Sequence, residues 1–123
     1  IMSSDWSSDV CSSDLEKRAR RAGFGVIEEL VGHGIGSEMW ESPQVPNCES
    51  AELGDFRVRE GMVLAIEPMV NVGTRDVITL DDHWTIVSAD GSDSAHFEHT
   101  VAVTPHGPEV LTCGPEGEGW AMP

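Results

Sequence analysis

Short apolar segments separated by glycine and proline run through the chain from Val26 to Thr112. Short apolar runs that are bounded by turn residues are typical of β-strands. The predicted strands are Val26–Val31, Met62–Ile66, Trp84–Val87, Ala95–Thr104 and Glu109–Thr112. Pro43 and Pro46 indicate an extended loop, and Asp90–Gly91 has the composition of a tight hairpin turn between two of these strands.

A helix is predicted immediately before the first strand. Glu16–Ala22 consists of good helix formers, and Gly23 follows at the place where a C-terminal cap is expected. The segment has the character of the end of a longer helix.

The first fifteen residues differ from the rest, because a Ser-Ser-Asp triplet occurs three times without apolar periodicity. The run Asp5–Leu15 resembles the in-frame translation of a short-read sequencing adapter over its whole length. We expect residues 1–15 to be non-native and disordered, with a natural disordered arm as the alternative. Residues 114–123 are rich in Gly and Glu and are expected to form a flexible acidic tail, which leaves residues 16–113 as the folded domain.

Composition excludes several classes of partner and site. The 123 residues include 22 Asp and Glu against 7 Lys and Arg, and this charge of −15 would repel phosphates, which excludes nucleic acid. We interpret the charge as a contribution to solubility, with steering of basic substrates as the alternative.

The three cysteines, Cys11, Cys48 and Cys113, are widely spaced, so neither a disulfide framework nor a thiolate zinc site is indicated. We expect no membrane association and a cytoplasmic location, because bilayer-length apolar runs and a secretory signal pattern are missing.

Three residues are candidates for metal chemistry. His33 lies between glycines, Glu67 ends an apolar strand, and Glu98 lies in a strand where alternation places it on the same face as His96 and Thr100. Burying an ionised carboxylate is unfavourable unless a counter-charge or a metal compensates. One imidazole and two carboxylates suit divalent Mn, Fe, Co or Zn, and two such ions can promote hydrolysis. We expect the three side chains to converge, although an isolated His beside glycines is usually a turn or core residue.

Four segments carry a resemblance to a known family: Val31–Gly36, Pro43–Asn47, Gly61–Asn71 and Phe97–Thr100. In this order they resemble the C-terminal half of type I methionine aminopeptidases. Glu67–Asn71 together with Asp82–Thr85 resembles that family and not the related prolidases and Xaa-Pro aminopeptidases. The resemblance implies an α+β pita-bread fold, whose C-terminal half is a curved antiparallel sheet with a flanking helix. It also implies a monomeric enzyme that removes N-terminal methionine from nascent proteins or peptides when the second residue is small.

The resemblance assigns roles to the candidate residues. His33 and Glu67 would bind one of two divalent ions (Co, Mn, Fe or Zn), and Glu98 would bridge both. Glu67 would also be the general base for the attacking water. Met39 and Trp84 would line the methionine pocket, for which ordinary core packing is the alternative.

The chain departs from the family pattern in two ways. The remaining metal ligands of the family are two aspartates in the first half of the fold, and no residue before Glu16 matches them, so we expect a fragment without activity of its own. Trp40, a predicted substrate-binding residue, replaces a histidine that contacts the substrate peptide bond, and an indole can neither titrate nor accept a hydrogen bond.

Two alternative functions remain. One is a non-catalytic pita-bread protein that binds peptides or partners, and the other is an Xaa-Pro-type aminopeptidase of the same fold.

Overall fold

The computed structural model describes residues 8–116, with side chains from residue 12 onwards. This part of the chain forms one α-helix, α1, at Ser8–Arg21, and ten short strands. The strands are β1 Gly25–Val26, β2 Gly32–Gly34, β3 Glu41–Val45, β4 Val63–Ile66, β5 Met69–Asn71, β6 Val77–Thr79, β7 Ile86–Ser88, β8 Ser94–His96, β9 His99–Thr104 and β10 Gly107–Val110.

The strands of residues 8–116 pair only in antiparallel fashion. Five of them form the main sheet in the order β10-β9-β4-β2-β3, three form a second sheet in the order β1-β5-β8, and β6 pairs with β7. The helix α1 contacts β1 at the edge of the second sheet. Antiparallel sheets beside a helix confirm the predicted α+β class.

Both outer strands of the main sheet contain a proline. Pro43 lies in β3 and Pro108 lies in β10. Proline has no N–H to donate to a ladder, so within sheets it is confined largely to edge strands and bulges. The prediction of an extended loop at Pro43–Pro46 was therefore wrong for the residues up to Val45, which belong to an edge strand.

The apolar core is small and is drawn mainly from the two larger sheets. Its buried side chains are Val26, Ile27, Val45, Cys48, Leu64, Ala65 and Val103. The helix is joined to this core by Ser12, whose hydroxyl donates a 2.8 Å hydrogen bond to the carbonyl oxygen of Pro46. Glu16 adds a second link, because its carboxylate accepts a hydrogen bond from the backbone N–H of Glu49.

The helix begins earlier than the sequence predicts. Residues 8–15 were expected to be disordered, but they form the first half of α1, and Ser12 and Ser13 are buried. Adding residues to an existing helix is far easier than nucleating one, and small serine side chains fit a close contact that apolar periodicity does not reveal.

Residues 1–7 and the last seven residues of the predicted acidic tail lie outside the described part of the chain. Nothing in residues 8–116 has the length and apolar character of a membrane-spanning helix.

Two other strand predictions were wrong in extent or pairing. The strand predicted at Val26–Val31 is limited to Gly25–Val26, because Glu28 and Glu29 follow, are exposed, and belong to a residue type that is disfavoured in strands. Asp90–Gly91 does form a turn, with Gly91 at φ 72°, but the strands on its two sides do not pair with each other. β7 pairs with β6, whereas β8 pairs with β5.

The predicted strand Ala95–Thr104 is divided in two. Its first part, β8, pairs Met69 with His96, and its second part, β9, pairs Ile66 with His99. Residues 67–68 and residues 97–98 therefore face each other where the ladder passes from one sheet to the other. Pro68 explains the interruption on one side, since it cannot donate a ladder hydrogen bond. Its carbonyl oxygen accepts one from the N–H of Phe97.

Gly32 allows β2 and β4 to approach closely. A Cβ atom at this position would lie 2.2 Å from the carbonyl oxygen of Ala65, a buried residue of β4. Since both groups belong to paired strands, neither can move without disturbing the ladder that carries His33.

We predict that Gly32→Ala lowers the free energy of unfolding by about 2 kcal/mol or more, because an added methyl group in a packed interior forces the backbone to shift. Urea unfolding followed by circular dichroism measures the change. Ser37→Ala, in the exposed loop after β2, is the control and should change stability by less than about 0.5 kcal/mol. Equal stabilities of the two variants would contradict the close approach.

Candidate metal centre

Glu67 and Glu98 come together because the two strand interruptions face each other. Glu67 follows the last residue of β4, and Glu98 precedes the first residue of β9. The pairing of Ile66 with His99 holds the backbones of the two acids side by side. The register is the same on both sides of the interruption, so Glu67 lies opposite Glu98, and residues opposite each other in this way share a face.

His33 is brought to the same place by β2. It pairs with Ala65 of β4, two residues before Glu67. Residues two apart in an extended chain share a face, so a side chain opposite Ala65 is a diagonal neighbour of Glu67. The register between β2 and β3 also shifts between His33 and Gly34, and such irregularities redirect side chains beside functional sites.

The three candidate ligands form a compact cluster. One imidazole nitrogen of His33 and one carboxylate oxygen each of Glu67 and Glu98 lie within 4.8 Å of one another. His33 and Glu67 are largely buried, with side chains 15% and 14% exposed, whereas Glu98 is exposed. The structure thus brings together all three residues that the sequence singled out for metal chemistry.

The hydrogen bonding of His33 fixes the character of its second nitrogen. Nδ1 lies 2.8 Å from the carbonyl oxygen of Gly34, and a carbonyl oxygen can only accept, so Nδ1 carries the proton. In the neutral ring Nε2 therefore presents a lone pair, 3.4 Å from Oε1 of Glu67. Two acceptors facing each other at this distance repel unless a cation or a proton lies between them.

The charges around Glu67 also favour a cation at this position. Burial raises the pKa of the Glu67 carboxyl group and the nearby negative charge of Glu98 raises it further, while His33 and His96 lower it. The raising effects are larger, so the site disfavours an unaccompanied carboxylate. A divalent cation would reverse this balance.

Asn47 supports the backbone around the cluster. This residue is 2% exposed, and its side-chain amide donates hydrogen bonds to the carbonyl oxygens of Leu30 and Glu67. It thereby connects the segment after β3 to the segments that precede β2 and follow β4. The sequence included Asn47 in a recognised motif but offered no physical signal for this role.

Trp40 lies beside the metal candidates. Its ring centroid is 6.2 Å from that of His33, with the planes at 63° in an edge-to-face arrangement. Both residues line an open cavity of about 450 Å³, together with Glu41, Glu67 and Met69. Because Trp40 is 72% exposed, it forms the outer wall of this cavity.

Met39 and Trp84 lie on the surface of the described part of the chain. They are 63% and 86% exposed, so neither is packed into the core that these residues form. Trp84 lies in the turn between β6 and β7 rather than in a strand, and neither residue lines the cavity that contains His33 and Glu67. The Asp82 carboxylate accepts the backbone N–H groups of Trp84 and Thr85 and so shapes this turn.

His96 is a neighbour of the cluster that the sequence analysis left without a role. Its Nε2 lies 3.4 Å from Oε2 of Glu67. The alternation that placed His96 on the face of Glu98 was the available signal. The pairing of His96 with Met69, two residues after Glu67, makes His96 a diagonal neighbour of Glu67 on that face.

Comparison with known proteins gives consistent matches to one group. The family model described as metallopeptidase family M24 matches residues 8–105. Methionine aminopeptidase of Clostridium perfringens is 52% identical over 101 residues, which cover 82% of this chain and 40% of that protein. Methionine aminopeptidase 1 of Bacillus subtilis is 53% identical over 89 residues, covering 72% of this chain and 36% of that protein.

Comparison with solved structures also gives matches to methionine aminopeptidases. The crystal structure of methionine aminopeptidase from Thermotoga maritima aligns with a TM-score of 0.78 and 47% identity, over 85% of this chain and 41% of that one. The corresponding enzyme from Rickettsia prowazekii also gives a TM-score of 0.78, with 35% identity over 85% of this chain and 42% of that one. The chain spans about 40% of the length of the relatives that it matches.

We predict that Glu67→Gln raises the free energy of unfolding of the metal-free chain by about 1 kcal/mol. The amide would donate to Nε2 of His33 and accept from His96, so that complementary hydrogen bonds replace the repulsion. Urea unfolding at about pH 8 with a chelator present measures the change, since unperturbed imidazoles are neutral there. Glu109→Gln, the same replacement on exposed β10, is the control. A Glu67→Gln chain less stable than this control would refute the repulsion.

Proposed function

Because the chain belongs to metallopeptidase family M24, we propose that it is part of a metal-dependent aminopeptidase that removes N-terminal methionine from proteins and peptides with a small second residue. The observation that carries the proposal is the convergence of His33, Glu67 and Glu98. The relatives and solved structures that match the chain are methionine aminopeptidases, which supports the same substrate.

The donor set of the cluster fits a divalent cation. Membership of a metallopeptidase family implies use of such a metal. A His33 lone pair that faces a carboxylate oxygen, with a second carboxylate within 4.8 Å, is a nitrogen and oxygen ligand set for Mn, Fe, Co or Zn. We propose two ions per complete site, of which His33 and Glu67 would help to hold one and Glu98 would contribute to both. When bound, the ions supply Lewis acidity that polarises the peptide carbonyl and activates water.

Glu67 is the proposed general base. Its side chain is largely buried at the end of β4, in contact with His33, so it is held in one place beside the reacting groups. Its carboxylate can accept a proton from a water molecule that lies beside the cluster. In this proposal Glu67 takes the proton of the attacking water and later returns it to the leaving amine.

Met39, Trp40 and Trp84 are proposed to contribute to the substrate surface. All three are exposed, and Trp40 already borders the cavity beside His33. Large apolar side chains exposed to water usually mark a surface that another part of a protein or a ligand covers. We propose that Met39 and Trp84 complete the methionine pocket with the portion of the relatives that this chain does not span.

The same incomplete coverage leads us to propose that the 123-residue chain has no aminopeptidase activity by itself. The cluster provides three ligand side chains. Resemblance to the family assigns the other carboxylate ligands to the first half of the fold.

We propose that the whole enzyme acts as a cytoplasmic monomer.

A non-catalytic protein that binds peptides is the second candidate, and Trp40 favours it. An indole can donate one hydrogen bond but cannot stabilise a developing negative charge as an imidazolium can. If the replacement of histidine is a real feature of the protein, it would weaken catalysis and leave an aromatic surface for binding. The carboxylate cluster argues against this candidate, because a binding surface gains nothing from an unneutralised pair of acids.

Metal affinity tests the cluster directly. We predict that the chain binds Mn²⁺ or Co²⁺ by isothermal titration calorimetry, and that His33→Ala, Glu67→Ala and Glu98→Gln each weaken binding by about tenfold or more, because each removes a ligand. Glu109→Gln should bind as the unaltered chain does. Equal affinities for the ligand variants and the control would refute the metal centre.

Cleavage of peptides tests the reaction. Residues 16–123, joined to the first half of the Clostridium perfringens relative, should release methionine from Met-Ala-Ser, whereas the 123-residue chain should not. In the joined protein Trp40→His should raise kcat/KM by about tenfold, since it restores a polar contact in the transition state. Preference for an Xaa-Pro peptide would indicate the proline-directed alternative, and metal binding without cleavage of either peptide would favour the binding protein.

A further inference from the structure

The carboxylate of Glu67 lies between two imidazole rings. Nε2 of His33 is 3.4 Å from Oε1, and Nε2 of His96 is 3.4 Å from Oε2. Each carboxylate oxygen of Glu67 therefore has a different histidine as its neighbour. The two distances are equal, but the two rings turn different groups toward the carboxylate.

The two histidines present opposite groups to the carboxylate. His33 donates its Nδ1 proton to the Gly34 carbonyl, so in the neutral ring its Nε2 is an acceptor and a potential ligand. Nε2 of His96 lies 3.4 Å from Oε2 of Glu67. A carboxylate can only accept, so this contact is attractive when Nε2 of His96 carries the proton. Oε2 then faces a donor, while Oε1 faces a lone pair.

The backbone of His96 is well placed for holding this oxygen. His96 is the last residue of β8 and pairs with Met69, so it reaches Glu67 from the second sheet, whereas His33 reaches it from the main sheet. Its side chain is 48% exposed, and it is not a member of the three-residue group whose ligand atoms lie within 4.8 Å. His96 therefore meets the cluster at Glu67, on the carboxylate oxygen that does not face His33.

We propose that His96 is a positioning residue for the metal centre: its Nε2–H holds Oε2 of Glu67 and thereby directs Oε1 toward Nε2 of His33. This inference rests on the proposed function, because the direction of Oε1 matters only if a cation is bound there. Outer groups that fix a ligating carboxylate change metal affinity by about 10- to 100-fold.

The first experiment needs no metal. Relaxation of the ¹³C-labelled Glu67 Cγ methylene is measured by NMR in the full chain and in its His96→Ala and His96→Gln variants, with a chelator present. Glu67 should be ordered in the unaltered chain and in His96→Gln, whose amide also donates, and mobile in His96→Ala. His106→Ala, in the exposed turn before β10, is the control. A Glu67 side chain that is equally mobile in all four proteins would overturn the proposal.

The second experiment measures Mn²⁺ and Co²⁺ affinity of the same four proteins by calorimetry. His96→Ala should weaken binding by about tenfold, and His96→Gln should recover most of the loss, because an N–H donor is what the position requires. An equal loss in both variants would make His96 a direct ligand and overturn the positioning role. Absence of binding by the unaltered chain would refute the proposed metal centre, while the NMR result would still decide whether His96 holds Glu67.

Discussion

The site depends on two strand interruptions that face each other. Pro68 stops the ladder after β4, and residues 97–98 leave it between β8 and β9, so that two sheets meet at this level instead of continuing as one. Glu67 and Glu98 occupy the gap. The register is the same on both sides of the gap, so Glu67 lies opposite Glu98, and opposite residues share a face. The two acids are thus held together at the level where the two sheets meet.

The charged and polar groups around this gap do not form favourable pairs with one another. Glu98 adds negative charge beside a buried Glu67, and His33 turns a lone pair toward the same carboxylate because its proton is used by the Gly34 carbonyl. Rigid supports surround this arrangement. Asn47 fixes the backbone of Glu67, and the β2–β4 ladder fixes that of His33. Functional sites commonly retain such local conflict, which the surrounding structure must stabilise.

Much of the molecule could be predicted from the sequence, and the failures have physical causes. The antiparallel α+β fold and the strand at Met62–Ile66 followed from apolar runs and turn residues, and the convergence of His33, Glu67 and Glu98 followed from ligand chemistry together with the family motifs. The division of Ala95–Thr104 could not be predicted, because it is caused by Pro68 on a partner strand that is distant in sequence. The contact of His96 with Glu67 was missed for the same reason. The helical character of Ser8–Leu15 was missed because Ser12 and Ser13 pack by size and hydrogen bonding rather than by hydrophobicity.

The prolines of the two outer strands have a consequence for self-association. An unpaired strand edge exposes a row of N–H and C=O groups, and this row can recruit a strand from another molecule. In the main sheet, Pro108 removes one donor from that row on β10, and Pro43 lies in β3 where its pairing with β2 is irregular. Neither end of the sheet is therefore a regular edge for a second copy. The protein limits fibre-like growth of its largest sheet at both ends, even though many of its apolar side chains are exposed.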